Sequence, residues 1–393
     1  MTSSPSIVDT RTTIRTFLDR ENPTTPCVVI DLDTVAARLE DFHREFLGFR
    51  ICYAVKANPA RSVVKTIVNG GGQFDVASVA EIDLCLAEGA DPRSISFGNP
   101  IKKGKDIAYA YSKGVREFVT DSIEDIETIA AYAPGSEVSV RMLVAAPDSG
   151  TPFGRKFGVS KRVAAELLLH AADCGLEPMG VSFHVGSQQM ETSAYIAGIK
   201  DARWVFDTLA KDGYELTRLN LGGGFAVTYD RPAPPISTYA KVIHRALAEN
   251  FPNGVAELLL EPGRAIAGES GILRTEVVLV ARRPDGRRWV YLDVGRYNGM
   301  AETENEYIAY KLEVVGGART QDSSVVIAGP TCDGDDVLYQ KTPYKLPLDL
   351  KAGDRIDIIN TGAYTSSYSS VAFNGIEPLR TICISGDTVV EEN

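Results

Sequence analysis

Between about residue 50 and residue 265 short β-branched runs alternate with longer amphipathic stretches, and this alternation limits the fold more than any single motif does. The runs at 50–55, 73–77, 94–97, 117–120, 137–144, 180–184, 218–221 and 257–260 have strand length and are rich in Val, Ile, Leu and Phe. Between them, stretches such as 79–87, 123–131, 161–172 and 194–211 have helical spacing and the length of a crossover helix. Eight strand-and-helix units predict an α/β fold, a (β/α)8 barrel, whose C-terminal strand ends gather around one mouth.

After Arg264 the pattern changes to long β-rich runs with few helical signals. Pro284-Asp-Gly286 reads as a hairpin turn between 273–283 and 288–293, and further strand-like runs follow at 324–328, 354–360 and 381–384. A second, antiparallel β domain is therefore expected. The boundaries predicted are 36–265 for the barrel, and 1–35 with 266–393 for the β domain, which takes in the early run at 27–30.

A chain of 393 residues, 44% hydrophobic and 24% charged, has room for a full core in both bodies. Its net charge of −11 argues against a nucleic-acid or anionic-membrane surface and suits a cationic ligand. The N-terminal stretch has no basic cluster before an apolar run, and no later segment reaches membrane-spanning length, so the expected setting is cytoplasmic. The six cysteines form no CxxC pair, which indicates neither a disulfide framework nor a metal site.

The chemistry begins at Ile51-Cys-Tyr-Ala-Val-Lys56, where strand alternation puts Lys56 on a face with two small residues, Cys52 and Ala54. A lone lysine at a strand end commonly snorkels to water. A desolvated one loses its proton and attacks carbonyls. At the ends of the other predicted strands sit Asp75, Arg141, His184, Gly222-Gly-Gly224 and Glu261. Three glycines after a strand let backbone N–H groups approach an anion. Ser187 adds a hydroxyl, and Glu261-Pro-Gly-Arg264 places a guanidinium three residues from a carboxylate. Together these parts describe a pyridoxal phosphate site. Lys56 attaches the cofactor, the glycines and Arg264 hold its phosphate, His184 covers the ring, and Glu261 keeps the pyridine nitrogen protonated so that the ring withdraws electrons.

The sequence resembles the alanine-racemase-fold pyridoxal phosphate decarboxylases, and within them the ornithine decarboxylase group. The matching stretches run in order: Tyr53-Ala-Val-Lys56-Ala-Asn58, Phe74-Asp-Val-Ala-Ser78 with Glu81, Lys156-Phe-Gly158, His184-Val-Gly-Ser187, Gly222-Gly-Gly-Phe225, Glu261-Pro-Gly-Arg264, Gly329-Pro-Thr-Cys-Asp333, and Gly362-Ala-Tyr364 with Phe373-Asn-Gly375. The resemblance implies that Ser187, Gly223, Gly224, Arg264 and Tyr364 hold the phosphate, and that Asp75, Glu81 and Arg141 support Lys56 and His184. It implies that Cys332 protonates Cα after carbon dioxide leaves, and that Asp333 binds a distal ammonium, with Tyr364 and Phe373 also lining the substrate pocket. In that family the Cys332 loop comes from the other subunit, so a homodimer with shared active sites is expected.

One departure is visible. Leu292-Asp-Val-Gly-Arg-Tyr297 replaces the group's acidic pair, which leaves Asp293 or Glu302 as the second acid of the substrate pocket. The expected reaction is decarboxylation of a basic L-amino acid, ornithine to putrescine first and lysine to cadaverine second. Diaminopimelate and arginine decarboxylation are same-fold alternatives. A non-catalytic regulatory homologue is the alternative of a different class, and the joint presence of Lys56, Glu261 and Cys332 speaks against it.

Overall fold

The computed structural model describes residues 7–144, 149–151, 156–317 and 320–392, so the first six residues lie outside it. The chain divides into two compact units, one of residues 38–226 with 233–265, the other of the chain up to residue 37 with 227–232 and 266–393.

The first unit is a closed barrel of eight parallel strands: Arg50–Ala54, Gln73–Val76, Ile95–Phe97, Glu117–Thr120, Glu137–Met142, Glu177–Phe183, Arg218–Asn220 and Glu257–Leu260. Several of these strands are buried on both faces, which is why they read as apolar runs with little alternation. Helices Val79–Ala87, Ile123–Tyr132 and Lys161–Asp173 each start where a serine caps the first turn. The Oγ atoms of Ser78, Ser122 and Ser160 accept the N–H groups of Glu81, Asp125 and Val163.

The N-terminal end of the barrel is closed by ion pairs between first residues of its strands. Arg218, 4% exposed, bonds Glu257 at 2.9 Å and Glu137 at 2.7 Å. Arg50 bonds Glu117 at 2.6 Å and Glu257 at 3.0 Å. Chemistry is thereby left to the opposite mouth.

The second unit is a ten-stranded sheet. The expected hairpin is present: Gly271–Arg282 and Arg288–Leu292 pair antiparallel around Gly286, whose φ of +83° suits a residue without Cβ. Most pairings are antiparallel, but two are parallel. Cys27–Asp31 lies parallel to Arg380–Ser385, and Arg288–Leu292 parallel to Asp322–Ala328. The first follows from the N-terminal strand being inserted between Gly271–Arg282 and Arg380–Ser385, to neither of which a hairpin joins it. Helix Ile7–Glu21, which strand counting missed, covers this sheet by packing Ile14, Phe17 and Leu18 against Val29, Ile272, Ile359 and Ile382. Beneath it Arg274, 2% exposed, is neutralised by Asp357 and Asp19, both at 2.8 Å. Residues 227–232 leave the barrel sequence to join this unit, where Thr228 O accepts from Asn360 Nδ2 at 2.6 Å.

Candidate active site

Lys56 does not sit on a strand face. The first barrel strand ends at Ala54, and Val55–Ala57 forms one 3-10 turn that lifts the lysine into the mouth. The side chain is 46% exposed, with Nζ 3.9 Å from Asp75 Oδ2. Asp75, in the second strand, is pressed so closely to Gly98 that a Cβ there would stand 1.9 Å from Oδ1. Burial and the neighbouring charge of Glu261 push the Asp75 carboxyl up to about 8, against the opposing pull of Lys56 and Arg141. Glu81 braces the start of its helix from both sides of the Ser78 cap. Its N–H bonds Ser78 Oγ while its carboxylate takes the Ala77 N–H at 2.6 Å.

His184 follows the sixth strand. Its Nδ1 accepts the Gly186 N–H at 2.9 Å, which leaves the ring proton on Nε2. Burial, with the positive charges of Arg141 and Lys56, pushes the imidazole well below its ordinary value, so the ring is flat and neutral. A Cβ on Gly223 would stand 3.4 Å from Nε2 and 2.4 Å from Glu261 O, so only glycine lets the turn and the ring share this space. Arg141, from the fifth strand, holds its guanidinium 5.1 Å from the Phe157 ring centre.

Glu261 follows the eighth strand, and Asn220 aims it: Nδ2 donates to Oε1 at 2.5 Å. Arg264, 4% exposed, turns Nε and Nη2 to Ser187 Oγ at 3.4 and 3.3 Å. Sequence reasoning missed Asn220. The available signal was a lone amide in the apolar strand Arg218-Leu-Asn-Leu221, two residues before the glycines.

Among the described residues no protein acceptor faces the N–H of Gly223 or of Gly224. Two such donors, a serine hydroxyl and a buried guanidinium fit a phosphate dianion. A neutral imidazole fits the face of an aromatic ring, the amide-braced Glu261 a protonated ring nitrogen, and a lysine at the mouth an aldehyde carbon. The barrel residues therefore suit pyridoxal phosphate.

The β unit carries its own group. Cys332 is exposed, and its N–H donates to Asn374 Oδ1 at 2.8 Å, which ties the thiol loop to the Phe373–Gly375 turn. Asp333 accepts the Asp335 N–H at 2.8 Å. Beside it lies Tyr297, whose phenol is pushed up by desolvation and by the Asp333 charge, and whose ring sits 4.7 Å from that of Phe373. Asp336, 2% exposed, accepts Arg296 N at 2.8 Å, Thr331 N at 3.1 Å and Thr331 Oγ1 at 2.7 Å. It thus pins together the loops that bear Tyr297 and Cys332. Tyr364 holds φ +56°, a left-handed conformation that costs a residue with Cβ about 1 kcal/mol, and its ring lies 5.7 Å from Tyr368.

Asp293 Oδ1 accepts the Thr275 hydroxyl and the Glu276 N–H, the latter at 3.0 Å, which ties the end of its strand to the neighbouring one. Glu302, on the 3-10 segment Ala301–Glu306, accepts from Tyr310 OH at 3.3 Å.

Comparison with known proteins agrees with this geometry. Residues 32–268 match the family described as pyridoxal-dependent decarboxylase, pyridoxal binding domain. A lysine/ornithine decarboxylase of Selenomonas ruminantium is 33% identical over 91% of this chain and 89% of its own. A diaminopimelate decarboxylase of Staphylococcus aureus is 30% identical over 88% of this chain and 85% of its own. The crystal structure of a lysine/ornithine decarboxylase from Vibrio vulnificus, complexed with putrescine, superposes with a TM-score of 0.84 at 29% identity, covering 96% of this chain and 99% of that one. With the matched region spanning the whole barrel and the strand-end residues meeting the cofactor's demands, the chain belongs to the pyridoxal-dependent decarboxylases.

Proposed function

We propose that this protein decarboxylates a basic L-amino acid, L-ornithine to putrescine first and L-lysine to cadaverine second, in the supply of polyamines. The observation that carries the reading is the pairing of Cys332 and Asp333 on one loop pinned by buried Asp336, a thiol beside a carboxylate that suits a distal ammonium. The putrescine found in the Vibrio vulnificus relative has such an ammonium at each end.

Bound pyridoxal phosphate supplies the electron sink that accepts the pair left on Cα when carbon dioxide departs. Lys56 would hold the cofactor covalently. Glu261, braced by Asn220, would hold a proton at the ring nitrogen, and His184 would cover the ring. Ser187, Gly223, Gly224, Arg264 and Tyr364 bind the phosphate, while Asp75, Glu81 and Arg141 keep Lys56 and His184 in place. Cys332 Sγ delivers the proton to Cα, and Asp333 orients the far end of the substrate, with Tyr297 and Phe373 walling the pocket. Ornithine and lysine differ by one methylene, worth about 0.8 kcal/mol, and pockets discriminate that difference by only roughly 10–200-fold. Both are therefore turned over.

The active assembly is a homodimer with shared sites, each barrel receiving its Cys332 loop from the other subunit. The exposure of Cys332 supports this arrangement. All six cysteines are free, which suits the reducing cytoplasm. Among the described residues no helix is long and apolar enough to cross a membrane. The test is direct: incubate the protein and pyridoxal phosphate with ornithine, lysine, arginine and meso-diaminopimelate separately, and identify the amine by mass. Putrescine should form fastest. Agmatine from arginine alone, or lysine from diaminopimelate alone, with no diamine from ornithine or lysine, would sink the proposal.

A further inference from the structure

Two buried tyrosines have no part in the chemistry above, yet their hydroxyls work on the glycine turn from behind. Tyr195, on helix Ala194–Lys211, is 0% exposed and donates to Gly223 O at 2.8 Å. Tyr239, on helix Ile236–Asn250, donates to Gln189 O at 2.6 Å and accepts the Ala226 N–H at 3.3 Å. Gln189 links the two halves, because its own N–H donates to Gly224 O at 2.8 Å. Burial pushes both phenols up, Tyr239 to about 12, so each remains a donor. Phe225 wedges the pair, stacked on Tyr195 with ring centres 5.3 Å apart and edge-on to Tyr239 at the same distance.

A trans peptide is planar, and its carbonyl and N–H point to opposite sides. Holding the Gly222 carbonyl, which accepts from Glu261 N at 2.9 Å, therefore aims the Gly223 N–H. Holding the Gly223 carbonyl aims the Gly224 N–H. A run of three glycines has no side chains to fix those planes and loses more backbone freedom on ordering than any other residues would. The donors must be set from outside. Glu261 sets the first peptide. The second depends on Tyr195.

We propose that Tyr195 is a positioning residue for phosphate recognition: by holding Gly223 O it orients the Gly224 N–H toward the cofactor's phosphate. The inference rests on the reading that this turn binds the phosphate, and the experiment separates the two. Cofactor-free protein is titrated with pyridoxal phosphate and, separately, with pyridoxal, which keeps the aldehyde and ring but lacks the phosphate. In Tyr195→Phe the ring remains packed on Phe225 and only the hydroxyl is lost. The Kd for pyridoxal phosphate should rise about tenfold, the scale of one lost hydrogen bond, while that for pyridoxal stays within about twofold. A merely structural tyrosine would weaken both ligands alike, and that result overturns the proposal. Arg264→Gln is the control for the phosphate site. If it removes the preference for the phosphorylated ligand and Tyr195→Phe does not, the proposal falls and the phosphate site stands. If neither changes the preference, the phosphate site itself is misplaced and the proposal falls with it. Tyr239→Phe frees Gln189 O and the Ala226 N–H but leaves the Gly223 carbonyl held, and should shift the ratio less. A shift as large as that of Tyr195→Phe would move the anchor to Gln189 and overturn the assignment.

Discussion

Asn220 touches Glu261 and the glycine turn at once: Nδ2 donates to Glu261 Oε1 at 2.5 Å, and Oδ1 takes the Gly222 N–H at 2.9 Å. A single buried amide thereby fixes the spacing between the proposed ring-nitrogen acid and the proposed phosphate turn, two contacts that a rigid cofactor must meet together.

Asn220→Leu keeps the volume and removes both bonds. Turnover should fall by up to about a hundredfold, the scale of a small misplacement at a reacting centre, with cofactor affinity reduced far less. The comparison is Glu261→Gln, expected to bind cofactor nearly normally and to lose turnover by orders of magnitude. Steady-state kinetics beside cofactor titration checks both. Turnover of Asn220→Leu within about twofold of the native enzyme would show that Glu261 needs no such brace.

Asp75 makes stability fall as pH rises. Burial and the charge of Glu261 push its carboxyl up to about 8 in the folded protein, from near 3.9 in an unfolded chain. With the folded value raised, the folded state binds the extra proton between those limits. The stability this provides is fully present below about pH 4 and is lost as pH climbs through about 8. Denaturant unfolding of the cofactor-free protein at pH 5, 6, 7 and 8 should therefore show Asp75→Asn gaining on the native chain with each step. His184, pushed down by burial, contributes the opposite slope but is common to both proteins and drops out of the difference. Parallel curves would mean that Asp75 is ionised throughout.

Much of this site was legible before the fold was known, and the reason is local. Strand ends are marked by a switch from apolar runs to Gly, Pro or charge, so Asp75, His184, Gly222 and Glu261 announce themselves by position. Lys56 was found for a partly different reason from the one that holds. Alternation carried the strand to residue 56, whereas the backbone turns at Val55, and periodicity cannot see where a strand stops short. Tyr195, Asn220 and Asp336 were passed over because the partners that give them their roles, Gly223, Glu261 and Arg296, lie far from them along the chain. Helix Ile7–Glu21 escaped because it lies before the first strand, outside the alternation that made the barrel evident.

Asp336 gives a test of the β unit alone. Gly295 and Gly329 both press on its carboxylate, where a Cβ would come within 2.2 and 2.3 Å, so no larger group can replace it. Asp336→Ala leaves the donors of Arg296 and Thr331 unpaired, which costs about 3 kcal/mol. Because it frees the loop that carries Asp333, KM for ornithine should rise along with the loss of stability. Asp336→Asn, which keeps one acceptor oxygen, should recover part of both. Loss of stability with an unchanged KM would separate Asp336 from the substrate pocket.

The shared site is tested by mixing. In a two-fold dimer both sites are equivalent, so a Lys56→Ala chain paired with a Cys332→Ala chain builds one site with both lesions and one with neither. Each variant alone should be nearly inactive. Equal amounts, exchanged freely, give about half heterodimers with one intact site in two, and hence roughly a quarter of native activity. If each site lay within one chain, every site in every mixture would carry a lesion. Native mass spectrometry establishes that heterodimers have formed. Heterodimers without recovered decarboxylation would place Cys332 in the site of its own chain.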